Sequence, residues 1–145
     1  MATINRISLD LARRIADAAM EEAARRSIAK AAVVVTDVGG DIRVALRADA
    51  AGAFGVDIAR GKAQAALGFN LSSLRLSQVF GSSPSATAAI NAATGGRFVP
   101  LGGGVLVVNA EGQVLGAAAL SGGLPEVDDE VITMAIRAAG LEVPT

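Results

Sequence analysis

The chain has 145 residues, a length that fits one domain and leaves little room for two. Hydrophobic residues make up 52% of it and aromatic residues only 3%, so its core must be built mainly from Ala, Val, Leu and Ile. The formal net charge of −1 argues against a nucleic-acid partner, because such partners are bound by basic surfaces. The chain has no Cys and no His, which excludes disulfides, Ser-His-Asp triads and zinc sites made of His or Cys.

The first half of the chain predicts a helix, a β-hairpin and a second helix. Ser8 is a typical N-cap, and apolar residues recur at helical spacing from there to about Arg26. A β-branched run over residues 31–37 and an alternating run over 42–47 flank Gly39-Gly40, which predicts two strands joined by a tight turn. Residues 55–68 return to helical spacing, although Gly61 weakens that helix by up to about 1 kcal/mol relative to Ala.

The second half predicts a short helix over 85–93, three strands and a closing helix. The strands are expected over residues 98–101, 105–108 and 114–120, and the helix over 126–139. The main elements therefore follow the order α-β-β-α-β-β-β-α. Because tight turns join neighbouring strands, we expect antiparallel pairing and an α+β fold, with helices packed on a five-stranded antiparallel sheet.

No targeting signal, membrane helix or linker is visible in the sequence. Arg6 and Asp10 interrupt the first apolar residues before they reach the length of a signal-peptide core. No stretch approaches the roughly 20 apolar residues that a membrane helix needs. We therefore expect a single cytoplasmic domain over residues 1–145 that binds no membrane.

Three glycine clusters are candidate ligand loops: Gly39-Gly40, Gly102-Gly103-Gly104 and Gly122-Gly123. Glycine allows the backbone to approach a ligand closely and to point N–H groups at an anion. Hairpin turns and corners also need glycine, and turn chemistry is the simpler explanation for the first cluster. For the other two clusters, both interpretations, a ligand loop or a structural turn, remain open. Gly122-Gly123 precedes a helix N-terminus that could bind an anion. Neither GxGxxG nor GxxxxGK[ST] occurs, so nucleotide binding is not indicated.

Several charged residues have both a functional and a plain structural interpretation. Lys62 is either a buried base with a lowered pKa or a solvated lysine whose stem covers the sheet. Arg97 either binds a carboxylate with both nitrogens or lies on the surface, and Asp37 either contacts a ligand or caps the hairpin turn. Four acidic residues could hold a hard cation, but helix N-termini favour acids anyway, so no metal site is predicted at Glu126, Asp128, Asp129 and Glu130.

Five segments spread over nearly the whole chain match one family pattern in the right order. They are AVVVTDVGG at 32–40, IARGKA at 58–63, TGGRFVP at 94–100 with GGG at 102–104, VLGA at 114–117, and LSGG at 120–123 with the acids at 128–130. The chain thereby resembles the GlcG/HbpS-like haem-binding family, which also forms the C-terminal domain of PduO-type proteins. The resemblance implies haem or another tetrapyrrole as ligand, and dimers assembled into larger rings. Asp41 stands where the family often has His.

Two hypotheses about function follow from these residues. The first is an oligomeric protein that binds a small anionic ligand, with Arg97 as a cation and with Asp37 beside it. In this hypothesis the ligand lies between the second helix and the glycine-rich loops, formed by Gly102, Gly103, Gly104, Ser121, Gly122 and Gly123. The alternative is a cofactor-independent lyase, isomerase or hydrolase in the same pocket, with Lys62 as the catalytic residue and Arg97 holding a small organic acid.

Overall fold

A computed structural model describes residues 6–144; residues 1–5, on which the absence of a targeting signal partly rests, and residue 145 lie outside this range. The described part forms five helices and four strands. The helices are α1 (Leu9–Arg25), α2 (Gly55–Phe69), α3 (Ser73–Phe80), α4 (Pro84–Ala93) and α5 (Pro125–Ala138). The strands are β1 (Ala32–Thr36), β2 (Ile42–Arg47), β3 (Gly104–Val108) and β4 (Val114–Ser121).

The four strands form one antiparallel sheet in the order β2-β1-β4-β3. The predicted hairpins, β1 with β2 and β3 with β4, are both present, and β1 also pairs with β4 at the centre of the sheet. Because all described pairs are antiparallel, the predicted α+β class is confirmed.

The prediction of a fifth strand over residues 98–101 is wrong. The Val99 N–H donates to the Gly61 carbonyl oxygen (3.3 Å), and the Leu101 N–H donates to the Val99 carbonyl oxygen (2.9 Å). Phe98 is buried in an aromatic cluster, with its ring centroid 5.2 Å from that of Phe69 and 5.5 Å from that of Phe80. The β-branched and aromatic composition of this segment therefore reflects a loop that covers α2, not a strand.

Helices cover both faces of the sheet. Val33 and Val35 of β1 face one core, which they share with α1 and α5, and Val34 between them faces α2. The layer between α2 and the sheet consists mainly of alanines, at Ala59, Ala63, Ala66, Ala117 and Ala119. Small side chains on both sides allow α2 to lie close to the strands.

The helix ends agree with the local signals in the sequence. The Ser8 hydroxyl accepts a hydrogen bond from the Leu11 N–H (3.1 Å), which confirms the predicted N-cap of α1. Ser72 caps α3 in the same way, through the Arg75 N–H (3.1 Å). α2 ends at Asn70, whose left-handed backbone (φ 53°) stops the helix. None of the described helices combines the length and apolar character needed to cross a bilayer.

Candidate functional site

Arg97 lies on the wall of a cavity of about 260 Å³ between the β1–β2 turn and α2. Its Nε donates to the Thr94 carbonyl oxygen (2.8 Å), which fixes the guanidinium at the rim of the cavity. Phe69 and Phe98 provide an aromatic wall, and the Gln64 side-chain amide donates to the Gly40 carbonyl oxygen (3.1 Å). The cavity therefore combines one cation with an aromatic surface, which suits an organic anion.

A second cavity, of about 570 Å³, adjoins the first. Gln64 and Arg97 line both cavities, so the Arg97 guanidinium lies where they meet. The second cavity is also lined by the exposed Phe54 and by Arg60, whose Nη2 pairs with the Asp57 carboxylate (3.2 Å). A ligand larger than the first cavity can therefore extend past Arg97 into the second.

Lys62 is buried, with only 3% of its surface exposed, so it is not the solvated lysine of the plain interpretation. Its Nζ donates to the Leu120 carbonyl oxygen (2.9 Å) and to Oδ2 of Asp128 (3.4 Å). Burial lowers the pKa of Lys62, and the Asp128 carboxylate opposes that shift. Burial likewise raises the pKa of Asp128. Lys62 does not line either cavity that contains Arg97.

The Gly102–Gly104 loop passes beside Lys62. A Cβ on Gly103 would lie 3.1 Å from the Lys62 Nζ and 2.5 Å from the Leu120 carbonyl oxygen, and Gly103 has a φ of +121°. This position therefore requires glycine so that the lysine can reach its partners. The Gly104 N–H already donates to the Ser73 hydroxyl (2.7 Å), and Gly102 lies against the backbone of Pro125.

The Ser121–Gly123 segment lies at the same end of the sheet. The Ser121 hydroxyl donates to the Gly55 carbonyl oxygen (2.8 Å), and the Gly123 N–H donates to Oδ1 of Asp128 (3.0 Å). Gly122 has a φ of +114° and lies against the Lys30 carbonyl. The structure thus brings the two later glycine clusters to the Lys62–Asp128 pair, away from Arg97. Ligand binding by these loops stays a prediction.

Asp37 caps the β1–β2 turn. Its Oδ1 accepts hydrogen bonds from the Gly39 N–H (2.9 Å) and the Asp41 N–H (3.1 Å). This geometry matches the plain interpretation of the residue. Its neighbour Val38, with Gly39 and Gly40, lines the Arg97 cavity, so Asp37 shapes one wall by holding the turn.

The acidic residues of α5 are divided among different partners. Asp128 pairs with Lys62, and the Glu130 carboxylate accepts from Arg26 (2.7 Å). Within residues 6–144, no group of three or more acidic side chains is arranged to hold a metal ion.

Sequence reasoning missed the cavity residues Gln64, Phe69 and Phe98. The sequence offered one signal for the aromatic pair, because the chain has only four Phe; the structure places three of them in one cluster. Gln64 carried no signal, since a polar residue on a helix usually faces solvent. Its role depends on the β1–β2 turn, which meets α2 only after folding.

The residues around Arg97 do not fit axial ligation of haem iron. Haem iron in proteins is held by His, Cys, Met or Tyr, and the chain has no His, Cys or Tyr. Met20 packs against the core on the α1 side, and the Met134 sulfur accepts from Arg26 Nη2 (3.1 Å); neither residue lines the Arg97 cavity. None of the described residues that line the Arg97 cavity is therefore an axial ligand for haem iron.

Solved structures share the fold over nearly the whole chain. The haem complex of PduOC is 24% identical with a TM-score of 0.84, and the match covers 97% of this chain and 99% of that one. The Klebsiella pneumoniae protein ORFY is 26% identical with a TM-score of 0.84, covering 97% and 94%. A Streptomyces reticuli HbpS double mutant is 24% identical with a TM-score of 0.79, covering 95% and 90%.

No curated protein matches the chain significantly. The model of one protein family, described as "Haem degrading protein HbpS-like", matches residues 7–137. That match covers most of the chain, and all five sequence segments noted above lie within it. The chain therefore belongs to the HbpS-like family.

Proposed function

We propose that the protein binds a planar organic anion in the Arg97 cavity, with an acid group on the Arg97 guanidinium and the ring system against Phe69 and Phe98. The observation that carries this proposal is the position of Arg97, which Thr94 holds at the junction of two cavities beside an aromatic wall. Tetrapyrrole carboxylates are the first class to test, because a family relative is known as a haem complex.

The absence of His, Cys and Tyr defines the mode of binding that we propose. The ligand is held by its acid groups and its ring face, and the iron of a haem contributes little to affinity. An iron-free porphyrin should therefore bind about as tightly as haem. Members of this family that hold haem through an axial ligand should instead lose affinity when the iron is removed.

The test is a titration of the protein with haemin and with iron-free protoporphyrin, followed by absorbance and fluorescence. We expect saturable binding of both at one ligand per chain, with similar dissociation constants. Arg97→Gln should weaken binding of both by about tenfold, because one charge-assisted hydrogen bond at an exposed rim contributes roughly 1.4 kcal/mol.

Arg14→Gln is the matched control. Arg14 is an exposed arginine that pairs with Asp10 on the same helix, α1, and this helix lies on the opposite face of the sheet from α2. It should leave both dissociation constants unchanged. Equal affinities of the parent and Arg97→Gln, or haemin binding without protoporphyrin binding, would contradict the proposal.

The catalytic alternative stays a prediction. The Nζ of Lys62 is bonded to Leu120 and Asp128, and Lys62 lines neither cavity that contains Arg97, so the geometry favours ligand binding over catalysis by this lysine.

We further propose that the protein works as a homo-oligomer. The expected cytoplasmic location also stays a prediction.

A further inference from the structure

Within the described part of the chain, the outer edge of β3 has one unpaired position. The Leu120 N–H donates to the Gly103 carbonyl oxygen (2.9 Å), so Val105 and Val107, two and four residues further along, direct their backbone groups at β4. The alternate residues of β3 therefore direct their N–H and C=O groups to the outer edge; they are Gly104, Leu106 and Val108.

Two of these three outer positions are occupied within the protein. The Ser73 hydroxyl accepts from the Gly104 N–H (2.7 Å). Val108 and Glu142 exchange two backbone hydrogen bonds (2.9 and 3.0 Å). Leu106 lies between them, and among the described residues its N–H and C=O have no partner. Only 3% of the surface of Leu106 is exposed, so bulk water has little access to hydrogen-bond with these backbone groups.

The described residues after α5 do not complete this edge. Continuing the antiparallel register of Val108 and Glu142 by two residues brings Pro144 towards Leu106. A proline has no N–H to donate, so pairing of the tail with the Leu106 carbonyl cannot continue there.

A cavity of about 470 Å³ covers this position and carries both signs of charge. Leu106, Arg75, Asp129 and Thr133 line it, with Val143 and Pro144 from the tail. Oδ1 of Asp129 is buried and has no hydrogen-bond partner among the described residues. The Arg75 guanidinium is exposed, and among residues 6–144 it donates one hydrogen bond, to the Gln78 side chain (2.9 Å).

We propose that this cavity binds a tripeptide-sized zwitterion in extended conformation. The central residue pairs with the N–H and C=O of Leu106, the ammonium group lies towards Asp129, and the carboxylate lies towards Arg75. Gly104 and Val108 are four residues apart, about 13 Å along a strand, and an extended tripeptide spans about 10 Å. The occupied positions on both sides therefore exclude a longer strand.

This site is separate from the Arg97 cavity. The two cavities share no lining residue, and one lies at the β3 edge while the other lies between α2 and the β1–β2 turn. The proposal therefore does not depend on the proposed function.

The experiment is a titration of the isotopically labelled protein with trialanine, read by the chemical shift and the hydrogen exchange of the Leu106 amide. We expect trialanine to shift the Leu106 amide resonance and to slow its exchange. Trialanine methylated at the central amide nitrogen lacks the donor for the Leu106 carbonyl, and we expect it to bind at least tenfold more weakly.

Asp129→Asn and Arg75→Gln should each weaken trialanine binding by several-fold, and Arg97→Gln should leave it unchanged. The proposal is overturned if saturating trialanine leaves the exchange of the Leu106 amide unaffected. It is also overturned if the methylated peptide binds as well as the parent peptide, or if Asp129→Asn and Arg75→Gln bind like the parent protein.

Discussion

At the scale of single residues, the Lys62–Asp128 pair is the most consequential contact in the interior. Its two side chains come from helices on opposite faces of the sheet, and both are almost fully buried. A buried ion pair contributes little compared with apolar residues of the same size. Removing one partner, however, leaves an uncompensated charge in the interior.

We expect Lys62→Met to lower the free energy of unfolding by about 3–5 kcal/mol. The cost arises because, of its partners among the described residues, Asp128 then keeps only the Gly123 N–H. The double variant Lys62→Met/Asp128→Asn also removes the unpaired Asp128 charge and should recover most of the lost free energy of unfolding. Urea denaturation measures all three proteins, and Arg14→Gln serves as an exposed ion-pair control that costs less than about 1 kcal/mol. A loss below 1 kcal/mol for Lys62→Met would contradict this account.

Asp129 should make stability depend on pH. Burial raises the pKa of Asp129 above its ordinary value near 3.8, and the Gly103 N–H and the Lys62 charge only partly oppose this shift. The folded protein then binds the Asp129 proton more tightly than the unfolded chain. This contribution to stability is complete below pH 3.8 and is lost as the pH rises through the folded pKa.

Asp129→Asn, which stays neutral, should therefore be more stable than the parent at neutral pH. The difference should shrink as the pH falls from about 7 towards 4, as measured by urea unfolding across that range. Glu21→Gln, at an exposed position on α1, is the control and should show no such trend. A difference that grows on acidification would show that the carboxylate is stabilised by its surroundings.

At the scale of elements, two glycines in α2 have opposite roles. A Cβ on Gly61 would lie only 2.4 Å from Cγ2 of Val99, whereas a Cβ on Gly68 would meet no atom within 4 Å. Gly61 therefore allows the 98–101 loop to cover α2, and Gly68 costs helix stability without any packing benefit.

We expect Gly68→Ala to stabilise the protein by about 0.5–1 kcal/mol through helix propensity. Gly61→Ala should destabilise it by about 1 kcal/mol, because an overpacking cost of roughly 1–3 kcal/mol exceeds the same propensity gain. Thermal and urea unfolding compare the two variants. Adding Val99→Ala to Gly61→Ala should restore stability, and a stabilising Gly61→Ala would contradict the role given to the loop.

Elements set by contacts between residues close in sequence were predicted correctly, whereas those set by contacts between distant residues were not. The Ser8 cap, the Gly39-Gly40 turn and the helical spacing of α2 are local, and the sequence predicts them well. The 98–101 segment has strand composition, but its backbone groups bond to α2 and to itself, which no local pattern shows. The candidate site was only partly predictable for the same reason. Lys62 and Arg97 belong to successive sequence motifs, but Lys62 is buried against Leu120 and Asp128, whereas Arg97 lines a cavity that Lys62 does not reach.

At the scale of the whole molecule, the proposal of a homo-oligomer rests on apolar residues left on the surface. Phe54 is 73% exposed and Leu124 is 70% exposed, and the mean hydropathy of the chain is +0.48. Exposed apolar side chains of this size favour contact with another protein surface.

We expect sedimentation at micromolar concentration to give a mass at least twice the 14.4 kDa of one chain. Phe54→Ser/Leu124→Ser should shift the distribution towards smaller species, because the proposed contact includes these residues. Val38→Ser, at a residue that is also exposed, tests whether any loss of apolar surface has the same effect. A monomer of 14.4 kDa for the parent would contradict the proposal.

The alanine layer between α2 and the sheet has a consequence for how the protein can diversify. Ala59, Ala63 and Ala66 set the distance between α2 and the sheet. One added methyl group at any of them would therefore move α2 away from the sheet. The Arg97 cavity is bounded by α2 on one side and by a turn of the sheet on the other, so its width would change with that movement. Substitutions in the alanine layer would thus change the size of molecule that fits the Arg97 cavity, while every residue that lines the cavity stays the same.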